Sequence, residues 1–130
     1  MTAKAASSGG LSESSSAKGR RGEEAAARFL FDQGWLIVAR NFKAGRGEVD
    51  IIAEKGDILS FVEVKFWTIF GPEELEWAMG AGKRGRIVET AKIFLARHRQ
   101  YSNARLRFDL ILVREDGSLR RIESAFTGDI

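Results

Sequence analysis

Residues 47–67 read "GEVDIIAEKGDILSFVEVKFW", and the register within this stretch decides how the chain folds. Two runs rich in Val, Ile and Phe flank Lys55-Gly56-Asp57-Ile58, a turn signal between strands. In the first run Val49, Ile51 and Ala53 alternate against Glu48, Asp50 and Ile52. The second run is apolar on both faces, yet Glu63 and Lys65 share one face with Phe61 and Trp67. With Gly56 and Asp57 as the centre of a two-residue loop, Lys55 pairs with Ile58 and Ile52 with Phe61. Asp50 then opposes Glu63, and Glu48 opposes Lys65. A turn centred one residue earlier leaves Asp50 diagonal to Glu63, still within reach. Like charges in opposition destabilise a sheet unless something neutralises them. A divalent metal with Asp50 and Glu63 as hard oxygen ligands does so.

Outward from this hairpin the pattern is regular. Residues 19–33 have helical spacing, and Gly34 follows as a C-cap. On that helix Glu23 lies on the inward stripe with Ala26, Ala27 and Leu30, whereas Glu24 keeps company with Arg28. Glu23 is therefore the third candidate acid. Strands are expected over 35–42, 47–54, 58–67, 105–113 and 119–126. Residues 68–82, with Pro72, read as a loop holding at most a short helical piece. A second helix over 83–99 carries Ile87, Ala91, Phe94, Leu95 and His98 as its stripe. The order αβββαβ with a last strand predicts an α/β fold, a mixed sheet with helices packed on it. Residues 1–17, almost all Ser, Ala and Gly, bury too little to order and form a disordered tail before one domain over 18–130.

Composition narrows the chemistry. The 130 residues include no cysteine, which excludes disulfides and thiolate zinc sites. No apolar run approaches the roughly 20 residues of a membrane span, and no secretory signal is visible, so a cytoplasmic protein without membrane contact is expected. Net charge is +3, and 14 of the 21 basic residues are Arg, the side chain whose fork fits phosphate. "GAGKRGR" at 80–86 lacks the spacing of a nucleotide-binding loop, but Lys83, Arg84 and Arg86 at a helix start suit a phosphate as well as they suit a solvated helix end. His98, on an arginine-rich helix end, reads as a partner of the helix dipole rather than a base.

"GEEAAARFL", "RNFKAGRGEVDIIA", "FVEVKFW", "TAKIFLARH", "RFDLILV" and "ESAF", in this order, resemble the YraN-type family of predicted bacterial endonucleases, similar to archaeal Holliday junction resolvases. The resemblance spans about residues 19–127. It implies a restriction-endonuclease-like core for the domain, with the resolvase pattern falling on Glu23, Asp50, Glu63 and Lys65. It further implies Mg²⁺ or Mn²⁺ held by Asp50 and Glu63, assisted by Glu23 directly or through water, with Lys65 orienting or deprotonating the attacking water. The family's GE-x-D adds Glu48 as a participant. Family members commonly carry Arg where this chain has Trp67, a position suited to stacking on a base or sugar but more often explained by packing. Arg46, Trp67, Lys83, Arg84 and Arg86 are thus the expected nucleic-acid contacts. The expected activity is hydrolysis of phosphodiester bonds in DNA, ahead of RNA, in branched or structured substrates, with a homodimer implied by resemblance. The rivals are a nucleic-acid-binding module without turnover and an interaction domain with a structural ion site.

Overall fold

The computed structural model describes residues 13–67 and 80–128, Trp67 by its backbone alone. Helix α1 spans Ser15–Asp32. It starts four residues before the expected Gly19 because the Ser14 hydroxyl accepts the Ala17 amide at 3.1 Å and caps the first turn. The Arg21 guanidinium also reaches back to Glu13 at 2.7 Å. Residues 15–17, expected in the tail, are therefore helical, and residues 1–12 lie outside the described residues. The helix stops at Gly34, whose φ of +91° lets its own amide and that of Trp35 return to the carbonyls of Phe31 and Leu30.

The remaining elements are β1 (Leu36–Ala44), β2 (Gly47–Lys55), β3 (Ile58–Trp67), α2 (Ala81–Arg97), a 3₁₀ turn (Arg99–Tyr101), β4 (Arg105–Arg114) and β5 (Leu119–Phe126). The five strands form one sheet in chain order, antiparallel except for the parallel β3–β4 pair. A parallel pair needs a crossover, and α2 lies on it. This is the mixed α/β architecture that the pattern predicts. Helix α2 begins at Ala81 rather than 83 and ends at Arg97. His98 follows as the cap residue, stacked on the Phe94 ring at 4.0 Å with Nδ1 2.9 Å from the Phe94 carbonyl oxygen. Residues 68–79, most of the expected loop, lie outside the described residues. Among the described residues no helix is long and apolar enough to cross a membrane.

The sheet separates two apolar layers. Ala26, Leu30 and Trp35 pack with Ile51, Val62 and Ile111 on the α1 face. Ile87, Ala91 and Phe94 pack with Ile52, Phe61 and Leu112 on the α2 face. Each such Ile, Leu or Phe contributes roughly 1.5–3 kcal/mol by leaving water. Adjacent β3 residues Phe61 and Val62 serve opposite layers, which is the alternation of a strand buried on both faces.

The start of α2 is pressed onto the β1–β2 turn. Gly45 takes a φ of +62° there, as the first residue of a tight hairpin turn asks. The Thr90 hydroxyl lies 2.9 Å from the carbonyl oxygens of both Ala44 and Arg86. A Cβ on Gly47 would meet Arg86 O and Thr90 Oγ1 at 2.7 Å, so only glycine permits this approach. Gly47→Ala is expected to cost about 1–3 kcal/mol through overpacking. Gly85→Ala, on the same helix where an added Cβ meets nothing within 4 Å, should instead stabilise by about 0.5–1 kcal/mol. Chemical denaturation of both variants measures the contrast, and equal effects would refute the close approach.

Candidate active site

The β2–β3 ladder has the expected register, from Lys55–Ile58 through Ile52–Phe61 to Ile51–Val62, and there it ends. The Val64 amide is taken by the side chain of Asp50, at 2.8 Å from Oδ2. Asp50–Glu63 and Glu48–Lys65 are thus not ladder partners, a correction to the extrapolated register; the strands fork instead. A second irregularity lies across β2. Asn41 on β1 has a φ of +52° and sits between the pairs Arg40–Ile51 and Phe42–Val49. Asn tolerates this left-handed conformation better than most residues. The side-chain alternation reverses at this point: Ile51 joins the α1 layer, whereas Val49 joins the α2 layer. Val49, Ile51 and Ala53 therefore do not share one face as the sequence pattern suggests.

The fork opens into a cavity of about 370 Å³ at the ends of β2 and β3, between α1 and α2. Glu63, only 7% exposed, and the half-buried Asp50 both line it, near enough for the charge of one to act on the other. Burial, then the negative charge of Glu63, push the Asp50 carboxyl up to about 8, against the opposing pull of the Val64 amide. Glu23 also lines the cavity, as its place on the inward stripe predicts. Its carboxylate is held by Asn41 Nδ2 at 2.9 Å. Glu24 points out to Arg40 at 3.1 Å. Glu48 completes the acidic wall. Among the described residues, no three acidic or imidazole side chains converge closely enough to form a ready metal cage.

Cations rim these acids. Lys65, Lys83, Arg86 and Arg46 line the same cavity. Lys83 makes an ion pair with Glu63. Arg46 reaches Glu89 at 3.5 Å. Among the described residues no carboxylate pairs with Lys65 or Arg86. Arg84 faces away, into a separate groove with Lys92 and Thr127. The expected role of Trp67 rests on a side chain outside the described residues. Two features escape sequence reasoning. Asn41 both turns the strand and holds Glu23; its only trace is an Asn inside an apolar strand run. Lys83 turns toward the acids, a direction that residue type alone does not encode.

A family-wide profile described as "Uncharacterised protein family UPF0102" matches residues 22–113, which bears out the family resemblance. A UPF0102 protein of Treponema pallidum is 44% identical over 98 residues, covering 75% of this chain and 78% of its own length. One from Granulibacter bethesdensis is 38% identical over 111 residues, covering 85% and 69%. One from Clostridium perfringens is 43% identical over 95 residues, covering 71% and 75%.

The Asp50 shift has a consequence for stability. With an ordinary value of 3.8 and a folded value of about 8, the folded chain keeps a proton that the unfolded chain releases. The metal-free protein therefore loses stability as pH rises from about 4 to 8. Asp50→Asn keeps an acceptor for the Val64 amide and removes this titration. Its melting temperature should exceed that of the unsubstituted chain by about 5 °C above pH 8, with the gap closing toward pH 4. Parallel curves for the two proteins would contradict the buried acid pair.

Proposed function

The chain belongs to the uncharacterised family UPF0102, and from the site it carries we propose that it is a metal-dependent endonuclease hydrolysing phosphodiester bonds, DNA ahead of RNA, in branched or structured substrates. The observation that carries this reading is the Asp50–Glu63 pair in a cavity also lined by Lys65, Lys83 and Arg86. Acids alone would suit a structural ion, and cations alone a binding surface. Their superposition suits a phosphate drawn onto an acid-bound cation.

The acid pair fits Mg²⁺ or Mn²⁺: two hard oxygen donors share one cavity, and burial with the negative charge of Glu63 pushes the Asp50 carboxyl up, a cost that a bound cation would relieve. Asp50 and Glu63 are the residues to hold the ion, with Glu23, fixed by Asn41, acting through water. Such an ion supplies Lewis acidity toward a phosphate oxygen and lowers the pKa of nearby water. The remaining steps belong to the chain. Lys65, without a carboxylate partner among the described residues, orients the attacking water or neutralises charge that builds on the phosphate. Arg86, on the first turns of α2, holds a neighbouring phosphate with the help of the helix N-terminus. Burial of Glu63 keeps bulk water from screening the charge of its own carboxylate.

The test is a cleavage panel of single-stranded, duplex, flap and four-way-junction DNA, with matching RNA, in Mg²⁺ or Mn²⁺. At least one substrate is expected to be cut, a chelator to stop it, and Asp50→Asn and Glu63→Gln to lose roughly a hundredfold or more. Symmetric cutting of a junction needs two copies of the site, and sedimentation with junction DNA reads that directly. Steeply salt-dependent binding without cleavage would instead make the chain a non-catalytic binding module. Absence of both cleavage and binding would end the nucleic-acid reading.

A further inference from the structure

We propose that Lys83 is an internal counter-ion that occupies the cation's place on Glu63, so that a divalent ion enters only by displacing it. This rests on the proposed metal site and concerns how that site is regulated. The Glu63 side chain is 8% exposed, and a carboxylate so buried is costly without positive charge beside it. The positive charge beside Glu63 comes from Lys83, on a different element of the fold, rather than from Lys65 two residues along its own strand.

The construction of α2 supports an exchangeable contact. Lys83, Arg84 and Arg86 crowd its start, where the helix dipole disfavours cations, and no acidic residue stands in the first turn. The Gly80 cap contributes no side-chain hydrogen bond. Gly82 and Gly85 weaken the same turns. The helix thus gains little from holding Lys83 where it is, and the contact with Glu63 is its counterweight. The Lys83 side chain is still 35% exposed, and its flexible stem can swing to solvent without moving the backbone. Released, the ammonium remains on the cavity rim beside Arg86, facing any phosphate drawn to the ion.

Calorimetric titration of the metal-free full chain with Mn²⁺ tests the exchange. Lys83→Met, similar in length but uncharged, is expected to bind Mn²⁺ about tenfold more tightly, the worth of one charge-assisted contact. Lys83→Arg should stay near the unsubstituted chain. Arg86→Met removes an equal charge from the same cavity without touching Glu63, and should tighten binding much less. Lys83→Gln provides a second neutral variant, and circular dichroism checks that each protein folds. Unchanged or weaker affinity in both neutral Lys83 variants would overturn the counter-ion role while leaving the metal site standing. Equal gains from Lys83→Met and Arg86→Met would also overturn it, since general electrostatics would then suffice. No Mn²⁺ binding by any of the proteins would overturn both this role and the metal site beneath it.

Discussion

The hydrogen bond from the Val64 amide to Asp50 is the point on which the site depends. An antiparallel ladder that stops in mid-sheet leaves a backbone donor without its strand partner, and a buried orphan donor is costly. Here a side chain accepts it. The substitution lets β2 and β3 part after Ile51–Val62 without losing the bond, and the gap between them becomes the cavity. It also fixes Asp50 against Glu63. Asn41, in its left-handed conformation, turns the outer strands at the same level and ties Glu23 into the wall. Strand geometry, cavity and acid pair are thus consequences of one departure from regular pairing.

The same corner of the fold carries further costs. Asp50 and Glu63 stand near each other where a pair of apolar residues would pack without penalty. Helix α2 brings cations to its unfavourable end and glycines into its first turns. Gly47 gives up a side chain so that α2 can close on the β1–β2 turn. Each of these weakens the folded state, and each lies within the same corner of the molecule. Elsewhere the ordinary rules hold, with Phe61 and Phe108 stacked at 5.5 Å and α1 capped and Gly-terminated.

Much of this is legible in the residue pattern alone. The turn at Gly56, with a φ of +60°, holds the Lys55–Ile58 register, and β3 and β5 have the ranges their alternation suggests. Helical spacing by itself separates Glu23 from Glu24. Three things are not legible. The ladder does not continue past Ile51, and periodicity carries no signal for a side chain that replaces a backbone bond. The start of α1 hides in a Ser-rich stretch that looks like tail until one serine, Ser14, acts as a cap. The direction of Lys83 is hidden because a flexible side chain within reach of both solvent and a buried acid is placed by the tertiary field, not by its neighbours in sequence.

Asp109 supplies the comparison that gives the Asp50 environment its meaning. It too is an acid on an inner strand of the sheet, 1% exposed. Yet the Ser60 hydroxyl donates to it at 2.7 Å, the Ser124 amide at 2.9 Å and the Arg107 guanidinium at 3.0 Å. The Arg107 head in turn lies over the Trp35 ring at 5.4 Å. Every demand that its charge makes is met from within the chain, so Asp109 joins three strands and needs nothing from outside. Asp50 receives one amide and faces another acid, and burial with the charge of Glu63 pushes its carboxyl up. Two aspartates in one sheet thus separate cleanly by how completely their charge is answered. The acid whose demand is left open is the one that lines the cavity.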